Sequence, residues 1–332
     1  MNQASVIIPT FNRVKILEKV LNSLISQDNI FEILVIDSNS KDGTKNLIES
    51  FNLITDINVK YFDVDNNVSL KRNTGIKESL AEYLIFLDDD CIPGKNFVNN
   101  HINYLIKDPS SVFCGDVFFP KELIKTSNYI RYKNSRHIPF RYKNSSNLDL
   151  DFKSIVTMNM SLKKENIKKN NLFFREDFIG YGMEDNEFGC QVQESGVQIK
   201  SCPASIQHME SNNSFLFSTK IFHTARDGVF KLKSVNKKAV MKLPYSYYFE
   251  TDFIHTNILV KYFIKALRLF FTIKIAKYLL KILNLIDGYK ILYFPLLYKY
   301  VFASYYYEGV KKRKEAYKSL HDVTDSWYKN NS

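Results

Sequence analysis

Three consecutive aspartates, Asp88, Asp89 and Asp90, directly follow the apolar run Tyr83–Leu87. Like charges this close repel one another, and nothing cationic in the adjacent sequence offsets them. Hard oxygen ligands on one turn suit Mg²⁺ or Mn²⁺, especially when a substrate diphosphate completes the shell. An isolated acidic triplet is more often a solvated loop. Here the apolar run reads as a buried strand, and open α/β sheets bind ligands outside the carboxyl ends of their strands. A second acidic pair, Glu184 and Asp185, follows the glycines of Gly180-Tyr181-Gly182-Met183. Proton abstraction from a hydroxyl needs a carboxylate fixed by its backbone, and a helix start after a glycine turn provides one. Acids at a helix start also simply complement its dipole.

Three further segments carry weaker signals. Ile8-Pro9-Thr10-Phe11-Asn12-Arg13 reads as a strand turning into a helix. Asp37-Ser38-Asn39-Ser40-Lys41-Asp42-Gly43-Thr44 begins at another strand end, where Asp37 can hold a base or ribose hydroxyl and Ser40 or Asp42 can cap a helix. Lys71-Arg72-Asn73-Thr74-Gly75 opens a helix leading to the triplet strand, and Arg72 is suited either to a diphosphate or to a surface ion pair.

The elements that must hold these residues alternate. Strands are expected at Ser5–Pro9, Phe31–Ile36, Val59–Phe62 and Tyr83–Leu87, with helices at Val14–Ser26, after Gly43, and at Ser69–Leu80. Short connections between them predict an α/β fold with a mostly parallel sheet covered on both faces. Beyond residue 110 the pattern loosens. Strands are expected at Ser111–Phe119, Ser154–Leu162 and Val197–Cys202, and a helix at Gly182–Ser195. Ser127–Asn147, with Arg131, Lys133, Arg136, Arg141 and Lys143, reads as a basic loop or lid.

The 332-residue chain has a net charge of +11, and its four cysteines form no CxxC pair. That excludes a zinc-ribbon signature and points to a reducing compartment. The N-terminus lacks a signal pattern. Residues 250–332 hold 14 Lys and Arg against 7 Asp and Glu, so the basic excess lies mostly in the tail. Ile258–Ile286 carries six basic residues and no acid among many Leu, Ile and Phe. No uncharged run there can span a bilayer, so a membrane-surface helix is expected. The basic residues change face between Arg268 and Lys274, which predicts a break near Phe270–Lys274.

In this order and spacing, the five segments resemble the inverting family-2 glycosyltransferases with the GT-A nucleotide-sugar fold, over residues 4–210. The segment from Gly180 to Phe188 is similar to the Trp-Gly-Gly-Glu-Asp motif of chondroitin-type polymerases and β-1,4-galactosyltransferases. The resemblance implies a glycosyltransferase domain over 1–250, with a nucleotide-binding half (1–110) and an acceptor half (111–250). Residues 251–332 would be a helical, membrane-associating extension. It implies a Mn²⁺ or Mg²⁺ ion held by Asp90, Asp88 and His208, the histidine lying past the next strand. Pro9, Phe11, Asp37 and Ser38 would line the base and ribose pocket, Asp88 or Asp89 would hold ribose, and Arg72 the diphosphate. Asp185 would be the catalytic base and Glu184 would orient the acceptor. Thr157, Met158 and Asn159 match a segment near the donor sugar.

The chain departs from the family pattern at Ser38, where many members have an aspartate that reads uracil, and at Tyr181 and Met183, which replace tryptophan and glycine. The implied activity is transfer from a nucleotide-diphosphate sugar, UDP-linked by expectation, to a glycan acceptor. The acceptor is expected to be lipid-linked, in bacterial surface-polysaccharide assembly at the inner face of the cell membrane. The implied location is cytoplasmic and peripheral, with the anionic membrane as partner and no nucleic acid. Two alternatives remain from the residues: a nucleotidyltransferase, although Thr10–Lys15 lacks the usual glycine, and a non-enzymatic nucleic-acid binder using the tail.

Overall fold

The structure, a computed structural model, describes residues 3–136, 147–209, 212–250 and 257–319. Four parallel strands form the first half of the sheet: β1 (Ala4–Pro9), β2 (Ile30–Asp37), β3 (Asn58–Asp63) and β4 (Tyr83–Leu87), in the order β3-β2-β1-β4. Every residue of β1 and β4 is buried, as expected of near-continuous apolar strands covered on both faces. Helix α1 (Val14–Ile25) turns Leu17, Val20, Leu21 and Leu24 onto one face of the sheet. Helices α2 (Thr44–Phe51) and α3 (Val68–Glu78) complete the alternation. Gly75 explains how α3 lies so close to the sheet: a Cβ there would fall 2.3 Å from Ile7 Cγ2.

The second half is not parallel throughout. Strands β5 (Cys91–Pro93), β6 (Val112–Phe118), β7 (Asp149–Leu150), β8 (Asn159–Lys163) and β9 (Ile199–His208) extend the sheet as β4-β8-β6-β9-β5, with β7 paired to β9. Of their pairings only β6 with β9 is parallel. Helix α4 (Phe97–Lys107) packs beneath this half. The expected strand ending at Cys202 instead runs on to His208. Pro203 lies where the partner strand β6 shifts register between Cys114 and Asp116, and the ladder resumes beyond it. His208 is therefore the last residue of a strand, not a loop residue past one. The expected strand at Ser154–Leu162, by contrast, is shorter: it begins only at Asn159, and a 3₁₀ turn at Phe152–Ser154 precedes it.

The stretch expected as a loop or lid contains helix α5 (Asn128–Asn134), which buries Tyr129, Ile130 and Tyr132. Its seven residues, about two turns, give too little periodicity to stand out from the flanking basic residues. Arg141 and Lys143 lie outside the described residues. Helix α6 (Glu184–Glu194) carries the second acidic pair, and α7 (Ser214–His223) follows β9. In the tail, α8 (Ile258–Arg268) and α9 (Ile273–Leu285) are separate helices, with the break where the switch of basic face required one. The aromatic helix α10 (Pro295–Lys311) packs on α7 and α9. Tyr298 stacks on Tyr132, and Phe217 meets Phe302 edge-on, so the tail shares a core with α5 and α7. Among the described residues no helix is long and apolar enough to cross a membrane.

Candidate active site

The triplet begins where β4 ends, and each acid meets a different partner. Asp89 is buried and accepts from Thr10 Oγ1 (2.8 Å) and Arg13 Nη1 (2.9 Å). The same Arg13 nitrogen lies 2.8 Å from Asp90 Oδ2. Asp88 lies 3.5 Å from Arg72 Nη2. The repulsion read in the sequence is thus relieved by two arginines from elsewhere in the chain. Burial pushes the Asp88 carboxyl up to about 6 despite Arg72. Burial also acts on Asp90, but His208, Arg13 and Lys220 outweigh it and hold that carboxyl well below the usual range.

β-pairing brings the histidine to the triplet. Cys91 of β5 sits opposite His208 of β9, leaving His208 Nε2 3.5 Å from Asp90 Oδ1. Asp90, Cys91 and His208 form a cluster whose donor atoms all lie within 4.8 Å of one another. Burial raises the Cys91 thiol well above its ordinary pKa, so it stays protonated and is a poor ligand. The remaining carboxylate oxygen and imidazole nitrogen fit a small divalent cation such as Mn²⁺. Asp88, the other expected ligand, is outside this cluster and is engaged by Arg72.

The second acidic pair faces the first across Arg72. Gly180 (φ +101°), Gly182 (φ +87°) and Met183 (φ +74°) take left-handed conformations that swing the chain into α6. The loop rests on the turn at 224–228: a Cβ on Gly228 would fall 2.3 Å from the Gly182 carbonyl oxygen. Asp185 Oδ1 accepts from Thr157 Oγ1 (2.8 Å) and Arg72 Nη1 (3.0 Å). Glu184 Oε1 lies 3.2 Å from the same Arg72 nitrogen. Burial, then the Asp185 charge, raises Glu184 to about 7. Arg72 was expected against a diphosphate. Its guanidinium is buried and instead bridges three carboxylates from both halves of the fold.

One cavity of about 1240 Å³ joins these groups; Pro9, Phe11, Arg72, Asp88, Asp89, Asp90, Glu184, Asp185 and His208 all line it. Asp37 and Ser38 do not. Asp37 is fully buried and accepts from Ser40 Oγ (2.6 Å) and Tyr61 Oη (2.8 Å). Ser38 Oγ is buried with no hydrogen-bond partner among the described residues, a state costing about 1–3 kcal/mol that a ligand could relieve. Of the three residues expected near the donor sugar, Met158 lines the cavity and Thr157 holds Asp185. Asn159 turns away, to His101 and the carbonyls of Asp116 and Ala204.

Sequence reading did not find several parts of this site. Arg13 and Thr10 stood in a noted motif but had no assigned partner. Lys71, beside Arg72, is buried and donates to the Thr10 carbonyl (2.7 Å), and burial lowers it to about 8. The cavity wall away from the triplet comes from Tyr245 and Phe249, to which the sequence reading gave no role, and from Phe271, Tyr300 and Phe302 of the tail.

Residues 5–170 match the profile of glycosyl transferase family 2, half of the chain, and residues 139–213 match the N-terminal domain of galactosyltransferase. The chain belongs to glycosyl transferase family 2. It is 30% identical over 182 residues to glycosyltransferase AglE of Haloferax volcanii, covering 53% of each chain. It is 26% identical over 240 residues to the chondroitin synthase of Escherichia coli, covering 61% of this chain and 34% of that one. It thus spans about half or less of the length of these relatives. In fold it is similar to Staphylococcus aureus TarS 1–349 solved with UDP (TM-score 0.54, 14% identity, covering 94% of this chain and 91% of that one). Family membership sets aside the nucleotidyltransferase and non-enzymatic nucleic-acid readings.

Proposed function

We propose that the protein is a metal-dependent inverting glycosyltransferase. It moves a sugar from a nucleotide-diphosphate donor, UDP-linked in our reading, to a hydroxyl of a lipid-linked glycan in bacterial surface-polysaccharide assembly. One observation carries this: a carboxylate–imidazole pair, Asp90 and His208, and a fixed carboxylate pair, Glu184 and Asp185, line the same cavity at the carboxyl end of the parallel strands. The TarS structure solved with UDP supports the choice of nucleotide, and a relative named GalNAc(5)-diNAcBac-PP-undecaprenol β-1,3-glucosyltransferase supports a lipid-linked acceptor.

Asp90 and His208 would hold the cation, and Asp88 or Asp89 the ribose. Mn²⁺ or Mg²⁺, when bound, neutralises charge on the departing diphosphate. Pro9 and Phe11, which line the cavity, flank the nucleotide. Asp185, steadied by Thr157 and Arg72, takes the proton as the acceptor hydroxyl attacks the anomeric carbon from the face opposite the leaving group. One displacement inverts the configuration and needs no covalent enzyme intermediate. Glu184 orients the acceptor sugar. Arg72 holds both acids against their mutual repulsion. Residues 1–250 form the catalytic part, and the extension from 251 closes its acceptor side and meets the inner face of the membrane.

The test is release of nucleoside diphosphate from a panel of nucleotide sugars, with Mn²⁺, Mg²⁺ or EDTA. Metal-dependent release from one donor supports the reading; no release from any donor under any metal overturns it.

A further inference from the structure

Helix α8 is built the wrong way round for a soluble surface. Its inward side is already supplied by Val260, Ile264 and Leu267, with Ile264 buried. At about 100° per residue, Ile258, Leu259, Tyr262, Phe263 and Ala266 form a second apolar face. Its four large side chains are between 63% and 73% exposed. Leu269 and Phe270, just past the helix, are 77% and 71% exposed. More than half of the large apolar side chains exposed among the described residues lie between Ile258 and Leu296. A patch of this kind marks an interaction site.

The charges beside it select the partner. Lys261, Lys265 and Arg268 form a strip along one edge of the exposed face. No acid occurs from Asn257 to Ile286, while six cations do. An apolar face edged by cations alone complements an anionic bilayer, where the side chains enter the acyl boundary and the cations meet headgroups.

The same helix is tied to the cavity. Arg268 Nε donates to the Tyr248 carbonyl (2.7 Å), and Tyr300 Oη donates to the Phe270 carbonyl (2.7 Å). Leu267, Phe270, Phe271 and Tyr248 line the cavity, and Phe270 and Tyr248 are also exposed. They therefore form its rim.

We infer that α8 is an interfacial helix that lies in the headgroup layer of an anionic bilayer and brings the Phe270–Tyr248 rim of the cavity to the lipid. The acceptor then keeps its apolar anchor in the bilayer while its sugar end passes this rim to reach Asp185. The acceptor part rests on the glycosyltransferase reading above; the interfacial helix stands on its own surface.

The experiment is flotation of the full chain with vesicles of phosphatidylglycerol and phosphatidylethanolamine, against vesicles of phosphatidylcholine alone. Donor hydrolysis is measured on the same samples. The wild type floats with the anionic vesicles only. Leu259→Glu/Phe263→Glu, whose side chains are exposed and outside the cavity lining, reduces the bound fraction at least tenfold and leaves donor hydrolysis unchanged. Lys261→Glu/Lys265→Glu reduces it comparably at low salt. The inference is overturned if the wild type stays in solution with anionic vesicles, or if the Leu259/Phe263 variant floats undiminished. It is also overturned if that variant converts a dimer to a monomer, which would assign the face to a second copy. Flotation without hydrolysis of any donor would sink the enzymatic reading and leave the interfacial helix standing. Hydrolysis without flotation would do the reverse.

Discussion

Replacing Arg72 with methionine keeps much of the side chain's length and removes the one cation that three carboxylates share. The guanidinium lies 3.0 Å from Asp185, 3.2 Å from Glu184 and 3.5 Å from Asp88, and its side chain is 4% exposed. At an effective dielectric of about 20, each contact is worth roughly 5 kcal/mol before desolvation is subtracted. Most of that is offset by the cost of burying the ions, but removing a single partner strands the others, at about 3–5 kcal/mol. The loss should depend on pH. Without Arg72 the folded-state pKa values of Glu184 and Asp88, already raised to about 7 and 6, rise further. An acid whose pKa is raised in the folded state favours folding less as pH rises from its unfolded to its folded value. The variant should therefore lose the full amount near pH 8 and much less near pH 5.5, where protonation relieves the repulsion. Urea unfolding at the two pH values measures this. A loss below about 1 kcal/mol at pH 8, or the same loss at both, would refute the bridging role argued from these contacts. Arg72→Lys keeps one point charge and should fall between wild type and methionine.

Four further outcomes are expected. Asp185→Asn should lower kcat by about 10²–10⁴ with donor affinity little changed, the range for losing a general base; transfer at the wild-type rate would reassign the base. Glu184→Gln removes a carboxyl that holds its proton up to about pH 7 when folded. Relative to wild type it should gain stability as pH rises from about 4.5 to 7, to a ceiling of roughly 3 kcal/mol, and gain nothing below that window. His208→Ala should abolish the Mn²⁺-dependent rise in melting temperature expected of the wild type with a nucleoside diphosphate, and an unchanged rise would remove His208 from the metal site. Gly75→Ala places a methyl against Ile7 and should cost about 1–3 kcal/mol in denaturant unfolding, through overpacking between α3 and β1.

The parallel half of the fold was legible because its strands are short and mostly apolar and alternate with helices, as β1, α1 and β4 illustrate. The antiparallel half was less so. Its strand ends depend on partners rather than on composition: β9 continues past Pro203 because β6 accommodates it with a register shift. Helix α5 is short, and its buried tyrosines acquire meaning only against Tyr298 and Phe302 of the tail. The acids of the site were visible as local motifs, because charge clustered after an apolar run or a glycine turn needs no distant information to be noticed.

The sequence by itself determined which residues could carry the chemistry: the triplet at a strand end, the Glu184–Asp185 pair at a helix start, and a basic, apolar tail too charged to span a bilayer. Only the tertiary structure decided how the triplet is held. In sequence no neighbour offsets its charge. In the fold Arg13 reaches Asp89 and Asp90 from the turn after β1, and Arg72 reaches Asp88 from α3. His208 meets Asp90 only because β5 and β9 pair in one register out of several that the chain would allow. Local pattern follows from the period of a helix or strand, whereas the balance of buried charge depends on which distant side chains packing brings within a few ångströms.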